Sequence, residues 1–206
     1  MSAAVAVLVP VKAFSRAKVR LAPALDRHER AELARQMATT VLGAARPFPV
    51  FVVCDDKEVA GWARDADAGV IWRPGRGLNA AVSDGVSELA RFGFGRVVIA
   101  HGDLPHARDF SEASTFEGVT LVPDRREDGT NVACVPSSSG FAFSYGAGSF
   151  SRHRAEAERI GLPLRILREP RLAWDVDSPD DLNDPDWLPA SERHRLVTPP
   201  VRHCGS

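Results

Sequence analysis

The 206-residue chain is 44% hydrophobic and 26% charged, with a formal net charge of -1, an ordinary globular balance that suits one α/β domain. A charge so near zero excludes a bulk field for nucleic acid or an anionic membrane, so any anion site must be local. No apolar run approaches the roughly 20 residues that span a bilayer, and no basic segment precedes the first apolar run, so no signal peptide is expected.

In chain order, the first predicted element is a buried strand over Ala3–Val11. Overlapping its end is Val9-Pro-Val-Lys-Ala-Phe-Ser-Arg-Ala-Lys-Val-Arg-Leu21, which puts Lys12, Arg16, Lys18 and Arg20 in one loop. Ligands of open α/β sheets bind at the carboxyl ends of strands. Clustered cations there suit a polyanion such as a nucleoside triphosphate, and a solvated basic loop is the plainer alternative. Asp26 begins a helix, with Glu29 at capping-box spacing and Leu33, Met37 and Val41 on its core face. Strands follow at Val50–Cys54 and Gly69–Trp72, with a helix from Asp56 to Ala66 between them. Gly75-Arg-Gly-Leu-Asn79 turns into a helix that starts near Leu78 and faces Val82, Val86 and Leu89 inward. Asn79 either reads a base edge or caps that helix.

The predicted strand Arg96–His101 runs into Gly102-Asp-Leu-Pro105, which places Asp103 at the carboxyl edge of the sheet. His101 and His106 flank it, as metal ligands, proton carriers or simply histidines satisfied by hydrogen bonds. Strands at Val119–Pro123 and Asn131–Val135 enclose the turn Glu127-Asp-Gly129, and Thr130-Asn131 adds a hydroxyl and an amide close to the second strand's start. Gly146-Ala-Gly-Ser149 precedes a helix carrying Arg152, His153 and Arg154. Glycines admit a close backbone approach, and a helix N-terminus offers N–H groups to an anion. Ser149 serves there as cap or as phosphate ligand.

A late strand pair is predicted at Leu164–Leu167 and Leu172–Trp174, the second ending in Trp174-Asp-Val-Asp177. Residues two apart on an extended segment share a side, so Asp175 and Asp177 can present two carboxylates to one point. With Asp103 they form a set able to hold Mg²⁺. The alternative is helix capping by Asp177 or its neighbours, since Ser178-Pro179 reads as a short helix start.

Cys54, Cys134 and Cys204 are scattered and lack zinc-ligand spacing. The first two lie in strand-like runs as small apolar residues, and a reducing cytoplasm is the expected location. No Gly-x-x-x-x-Gly-Lys occurs, which disfavours a P-loop ATPase. The alternation of strands and helices predicts an α/β fold, a three-layer α/β/α sandwich with a mostly parallel sheet. One domain is expected over residues 1–183, followed by a proline-bearing, loosely ordered tail over 184–206.

Taken together, the motifs resemble the 2-phospho-L-lactate / phosphoenolpyruvate guanylyltransferases of coenzyme F(420) biosynthesis. The residues concerned are Val9-Pro-Val-Lys12, Ala17-Lys-Val-Arg-Leu21, Gly77-Leu-Asn79, Gly102-Asp-Leu-Pro105, Val122-Pro-Asp-Arg125 and Gly129-Thr-Asn131. They continue with Tyr145-Gly-Ala-Gly-Ser-Phe150, Arg152-His153 and Asp175-Val-Asp-Ser-Pro-Asp-Asp-Leu182. The resemblance implies a Rossmann-like nucleotidyltransferase fold related to molybdenum-cofactor guanylyltransferase. It implies transfer of GMP from GTP to the phosphate of a small three-carbon phosphoacid, with release of pyrophosphate. It also implies that Asp103, Asp175 and Asp177 hold Mg²⁺, that Lys12, Lys18 and Arg20 hold the triphosphate, and that Asn79 lies near the nucleotide. Thr130, Gly146 and Ser149 match acceptor-binding positions.

The expected partners are GTP and the phosphoacid, with no nucleic acid and no membrane; a homodimer is the candidate assembly. The chain departs from the family pattern at Val19, where a small hydroxyl residue is common, and at His101, Gly102 and His106 around Asp103. The acceptor stays open among phosphoenolpyruvate, 2-phospho-L-lactate and 3-phosphoglycerate. Another nucleotidyltransferase of the same fold and a non-catalytic GTP-binding module are the alternatives.

Overall fold

A strand buried on both faces reads as a continuous apolar run rather than an alternating one, and most of the strands here have that character. The computed structural model describes residues 3–182; the tail expected over 184–206 lies outside the described residues. The strands are β1 (Val5–Pro10), β2 (Val50–Cys54), β3 (Gly69–Trp72), β4 (Arg96–Ala100), β5 (Val119–Pro123), β6 (Thr130–Pro136) and β7 (Leu164–Ile166). They form one sheet in the order β3-β2-β1-β4-β6-β5-β7. Only β6 is reversed, running antiparallel to both β4 and β5.

The helices are α1 (Arg27–Ala44), α2 (Lys57–Asp65), α3 (Leu78–Arg91), α4 (Ser111–Ser114), α5 (Ser149–Arg159) and α6 (Pro170–Ala173). Alternation along each strand divides the core in two. Val7 and Val9 of β1, with Val98 and Ala100 of β4, pack against α1 and α2 through Ala38, Val41, Val59 and Ala63. Ala6 and Leu8, with Val97 and Ile99, pack on the other face against Val82, Val86 and Leu89 of α3 and Phe150 and Ala157 of α5. The result is the three-layer α/β/α sandwich. α3 lies close to the sheet because Gly85 has no side chain; a Cβ there would come within 2.7 Å of Leu8.

The expected strand at Leu172–Trp174 is instead the short helix α6. Glu169-Pro170 is a helix-start signal: the Glu169 carboxylate accepts the Leu172 N–H at 3.0 Å, and Pro170 occupies the first turn. Local capping overrides the apolar, strand-like composition. The segment becomes extended only at Trp174.

Chain order sends β1 to β2 on one side, while β4 returns to β1's other side. The carboxyl ends of β1 and β4 therefore flank the crevice where such sheets bind ligands. Because β6 is reversed, its first residues, Thr130 and Asn131, start at that same edge, with the His101 N–H donating to the Asn131 carbonyl at 3.0 Å.

α1 is fixed at its start by a full capping box: the Asp26 carboxylate accepts the Glu29 N–H at 2.9 Å, and the Glu29 carboxylate accepts the Asp26 N–H at 2.7 Å. Asp26→Ala should lower stability by about 1 kcal/mol, which calorimetry would read as a Tm drop of roughly 2–4 °C. Asp26→Ser should recover most of it, and an unchanged Tm in the alanine variant would show that the box carries no load.

Candidate active site

The loop after β1 is shaped by its apolar residues. Phe14 is buried edge-on against Trp62 at 5.2 Å, and Leu21 is buried with Leu33 and Met37 of α1. Between these anchors the chain makes two short 3-10 turns, Phe14–Arg16 and Val19–Leu21. Lys12, Arg16 and Arg20 are left exposed. Lys18 alone turns inward, from a left-handed backbone at φ 52°. That conformation costs a lysine roughly 1 kcal/mol or more.

Two carboxylates hold Lys18 in place. Its Nζ lies 2.7 Å from Asp103 Oδ2 and 3.0 Å from Asp177 Oδ1. Arg20 adds a looser contact to Asp177 at 3.6 Å. Burial alone would push the Lys18 ammonium down, but Asp103 and Asp177 outweigh it and hold the ammonium above its ordinary value. For Asp103, burial pushes the carboxyl up; the Lys18 ammonium, and then His101, hold it below its ordinary range. Among the described residues no cation pairs with the Asp175 carboxylate in this way. Burial, with Asp103 and Asp177 nearby, pushes it up to about 6.

Val176 explains how the two aspartates share a side. It is buried with Leu21, Leu33 and Met37, which turns the residues on either side of it away from that cluster. Asp175 and Asp177 thus meet the end of β4. Among the described residues, no group of three His, Cys, Asp or Glu side chains is arranged to hold a metal ion as it stands. Lys18, rather than a shared ligand point, joins Asp103 and Asp177. Two buried oxygens, Asp103 Oδ1 and Asp175 Oδ1, have no hydrogen-bond partner among the described residues, and orphaned carboxylate oxygens fit a hard cation such as Mg²⁺.

The second cluster forms where β6 meets α5. Ser149 does not cap its helix. The N-cap is Gly148, at φ 70°, and the Ser149 Oγ instead accepts the Thr130 N–H at 3.0 Å. Nor is the helix N-terminus open to an anion through all its N–H groups. Gly148 N–H donates to the Asp128 carboxylate at 3.0 Å, Ser149 N–H to the Gly146 carbonyl at 3.0 Å, and Phe150 N–H to the Asp128 carbonyl at 3.0 Å. The Thr130 and Ser149 hydroxyls, on residues that are both buried, lie at this corner. Gly146, at φ 117°, is exposed in the loop, which Arg152 pins through the carbonyls of Ser144 and Ala147. Asn79 neither caps α3, whose N-cap is Gly77, nor offers its oxygen to a base; its Oδ1 accepts the Tyr145 N–H at 2.7 Å.

The guanylyl transferase CofC-like family matches residues 5–185 of the chain. The chain belongs to this family. It is 39% identical over 186 residues to the phosphoenolpyruvate guanylyltransferase of Sphaerobacter thermophilus, covering 86% of this chain and 90% of that one. It is 37% identical over 199 residues to the phosphoenolpyruvate guanylyltransferase of Conexibacter woesei, covering 90% and 89%. Among solved structures, a protein of Desulfovibrio desulfuricans G20 described as a nucleotide-diphospho-sugar transferase aligns with TM-score 0.70 at 19% identity, over 89% of this chain and 86% of that one. A nucleotidyl transferase from Methanothermobacter thermautotroptrophicus aligns with TM-score 0.59 at 16% identity, over 88% and 94%. These two likenesses show the fold; the family shows a guanylyltransferase. Among the described residues, no helix is long and apolar enough to cross a membrane.

In this CofC-like chain the sequence reading missed two supporting carboxylates. Asp181, only 1% exposed, accepts the N–H groups of Asp177 at 2.9 Å and Ser178 at 2.7 Å and the Ser178 hydroxyl at 2.9 Å. It also pairs with Arg125 and, at 3.0 Å, with Arg126. The capping role weighed for Asp177 thus belongs to Asp181, and the signal was its place three residues after Ser178. Burial would push Asp181 up, but the Arg125 hydrogen bond and then the N–H groups of Asp177 and Ser178 hold it far below the usual carboxylate range. The other is Asp124, whose carboxylate accepts the N–H groups of Arg126, Asp128 and Gly129 at 2.9–3.0 Å and shapes the turn presenting Asp128. Gly129 leaves room there for that carboxylate, since a Cβ would lie 2.8 Å from Asp124 Oδ2.

The opposite settings of Asp175 and Asp181 predict opposite responses. A carboxyl raised to about 6 in the fold from about 3.9 unfolded binds its proton more tightly when native. Its contribution therefore falls as pH rises from about 4 to about 6 and stays low above. Asp175→Asn should stabilise the metal-free protein at pH 7.5 by about 1–3 kcal/mol, a gain that vanishes near pH 4 in thermal melts. Asp181→Ala, which removes a buried carboxylate and leaves the half-buried Arg125 guanidinium and the N–H groups of Asp177 and Ser178 without their acceptor, should cost roughly 1–3 kcal/mol. Equal Tm shifts in the two variants at pH 7.5 would contradict this assignment.

Proposed function

We propose that this protein transfers the GMP group of GTP to the phosphate of phosphoenolpyruvate and releases pyrophosphate, within coenzyme F(420) biosynthesis. An acceptor phosphate oxygen attacks the α-phosphorus, a new P–O bond forms, and the bond to the bridging oxygen of the β-phosphate breaks. The attacking oxygen is already anionic, so no general base is required. The work of the protein is to bring two polyanions together and to stabilise the charge leaving on pyrophosphate.

The observation that carries the reading is the meeting of a cationic loop, carboxylates and paired hydroxyls at one sheet edge. Lys12 and Arg20, exposed beside Lys18, are placed to pair with triphosphate oxygens, and Lys18 follows them when phosphate competes with Asp103 and Asp177. Asp103, Asp175 and Asp177 would hold Mg²⁺, which supplies Lewis-acid stabilisation of phosphoryl oxygens. Thr130, Ser149 and the Gly146 backbone receive the acceptor, and Asn79 supports the nucleotide side by fixing Tyr145. Phosphoenolpyruvate is favoured because the relatives named above carry it in their names.

The test is pyrophosphate release from GTP and Mg²⁺ with phosphoenolpyruvate, 2-phospho-L-lactate and 3-phosphoglycerate supplied separately, the product being weighed by mass spectrometry. Release should depend on phosphoenolpyruvate; dependence on another acid alone would replace it. Asp103→Asn should lower kcat about 100-fold or more while the melt stays cooperative. Near-full activity in that variant would remove Asp103 from the chemistry.

A further inference from the structure

His153 lies wholly buried one turn after Ser149 on the same face of α5, and the reaction as described makes no use of it. Its Nε2 lies 2.9 Å from the backbone N–H of Ser144. A backbone N–H can only donate, so Nε2 must accept and carries no proton. The neutral ring then carries its proton on Nδ1, which lies 3.0 Å from Thr130 Oγ1. A hydroxyl donating to Nδ1 would leave both ring nitrogens as acceptors, which a neutral imidazole cannot supply. Doubly protonated imidazolium would set a proton against the Ser144 N–H. Burial, with His101 and Arg152 adding to it, pushes His153 down to about 4, in keeping with the neutral ring.

The polarity of the whole corner follows. Thr130 Oγ1 accepts from His153, and Ser149 Oγ accepts from the Thr130 N–H. Among the described residues neither hydroxyl's own proton has an acceptor. Each hydroxyl, on a residue only 2% exposed, thereby keeps its own proton for a further acceptor, and two such donors match an anionic oxygen. The ring is also walled in: Tyr145 meets it edge-on at 4.8 Å and Phe141 lies at 5.6 Å. Excluding water there strengthens the relay.

We propose that His153 is a positioning residue for the acceptor: its Nδ1–H fixes the Thr130 hydroxyl as a donor to the anionic oxygens of the phosphoacid. This rests on the reading of Thr130 and Ser149 as acceptor contacts. The relay runs Ser144 N–H to His153 to Thr130 to ligand, and its direction is set by the one group in it that cannot reverse.

The experiment compares wild type with His153→Asn and His153→Gln, varying phosphoenolpyruvate and GTP separately. Asparagine can place an N–H near the Nδ1 position, whereas glutamine can replace only the acceptor at Nε2. His153→Gln should raise the phosphoenolpyruvate KM about tenfold, with the GTP KM within about twofold, while His153→Asn stays near wild type. Equal rises in both variants, or parallel rises in both KM values, would mean a merely structural histidine. Nitrogen-15 spectra of the wild-type ring should show the proton on Nδ1; a proton on Nε2 overturns the relay whatever the acceptor. A wild type that releases no pyrophosphate with phosphoenolpyruvate overturns the acceptor reading and the ligand end of this proposal, while the ring spectrum still decides the relay.

Discussion

The site depends on one ammonium group. Asp103, Asp175 and Asp177 come from two distant stretches of chain and converge at a partly buried edge where like charges repel. Lys18 offsets that repulsion by lying between Asp103 and Asp177. It holds together the loop after β1, the end of β4 and the segment after α6. The left-handed backbone at Lys18 is the local cost of aiming it inward, and the buried anchors Phe14 and Leu21 on either side keep it there.

Around that contact the molecule separates rigid supports from responsive groups. Asp181 is fully engaged with two arginines and the backbone and acts as a fixed brace. Asp175, with an unpartnered oxygen and a carboxyl raised to about 6, is held in an electrostatically unfavourable place. Such stored repulsion is common where a protein must bind a countercharge. The same fold therefore keeps one carboxylate fully satisfied and another unsatisfied.

The reversed strand β6 is the second device. A parallel strand at that position would begin at the far edge of the sheet. Running backward between β4 and β5, it starts at the edge where β4 ends. Thr130 thereby reaches Ser149 and His153 at the same sheet edge as the end of β4.

Much of this was legible in the sequence because it is local. The Asp26–Glu29 box, the helix α2, the strands of β2, β3 and β5 and the start of α5 follow from residues within a few positions of one another. So did the fold class and the family, since apolar periodicity and motif order are properties of the chain itself. Where two local signals conflicted, as at Leu172–Trp174, the Glu169 cap won over apolar composition. Pairings across the chain were not legible. No spacing told that Lys18 would turn inward while Lys12 and Arg20 stayed out, that Asp128 would occupy N–H groups at the start of α5, or that Asn79 would serve Tyr145. The sequence by itself determined which residues carry charge and which runs become strands. Tertiary structure alone decided which charges meet, because an ion pair between residues 85 positions apart exists only after the sheet has brought two loops to one edge and taken the water from between them.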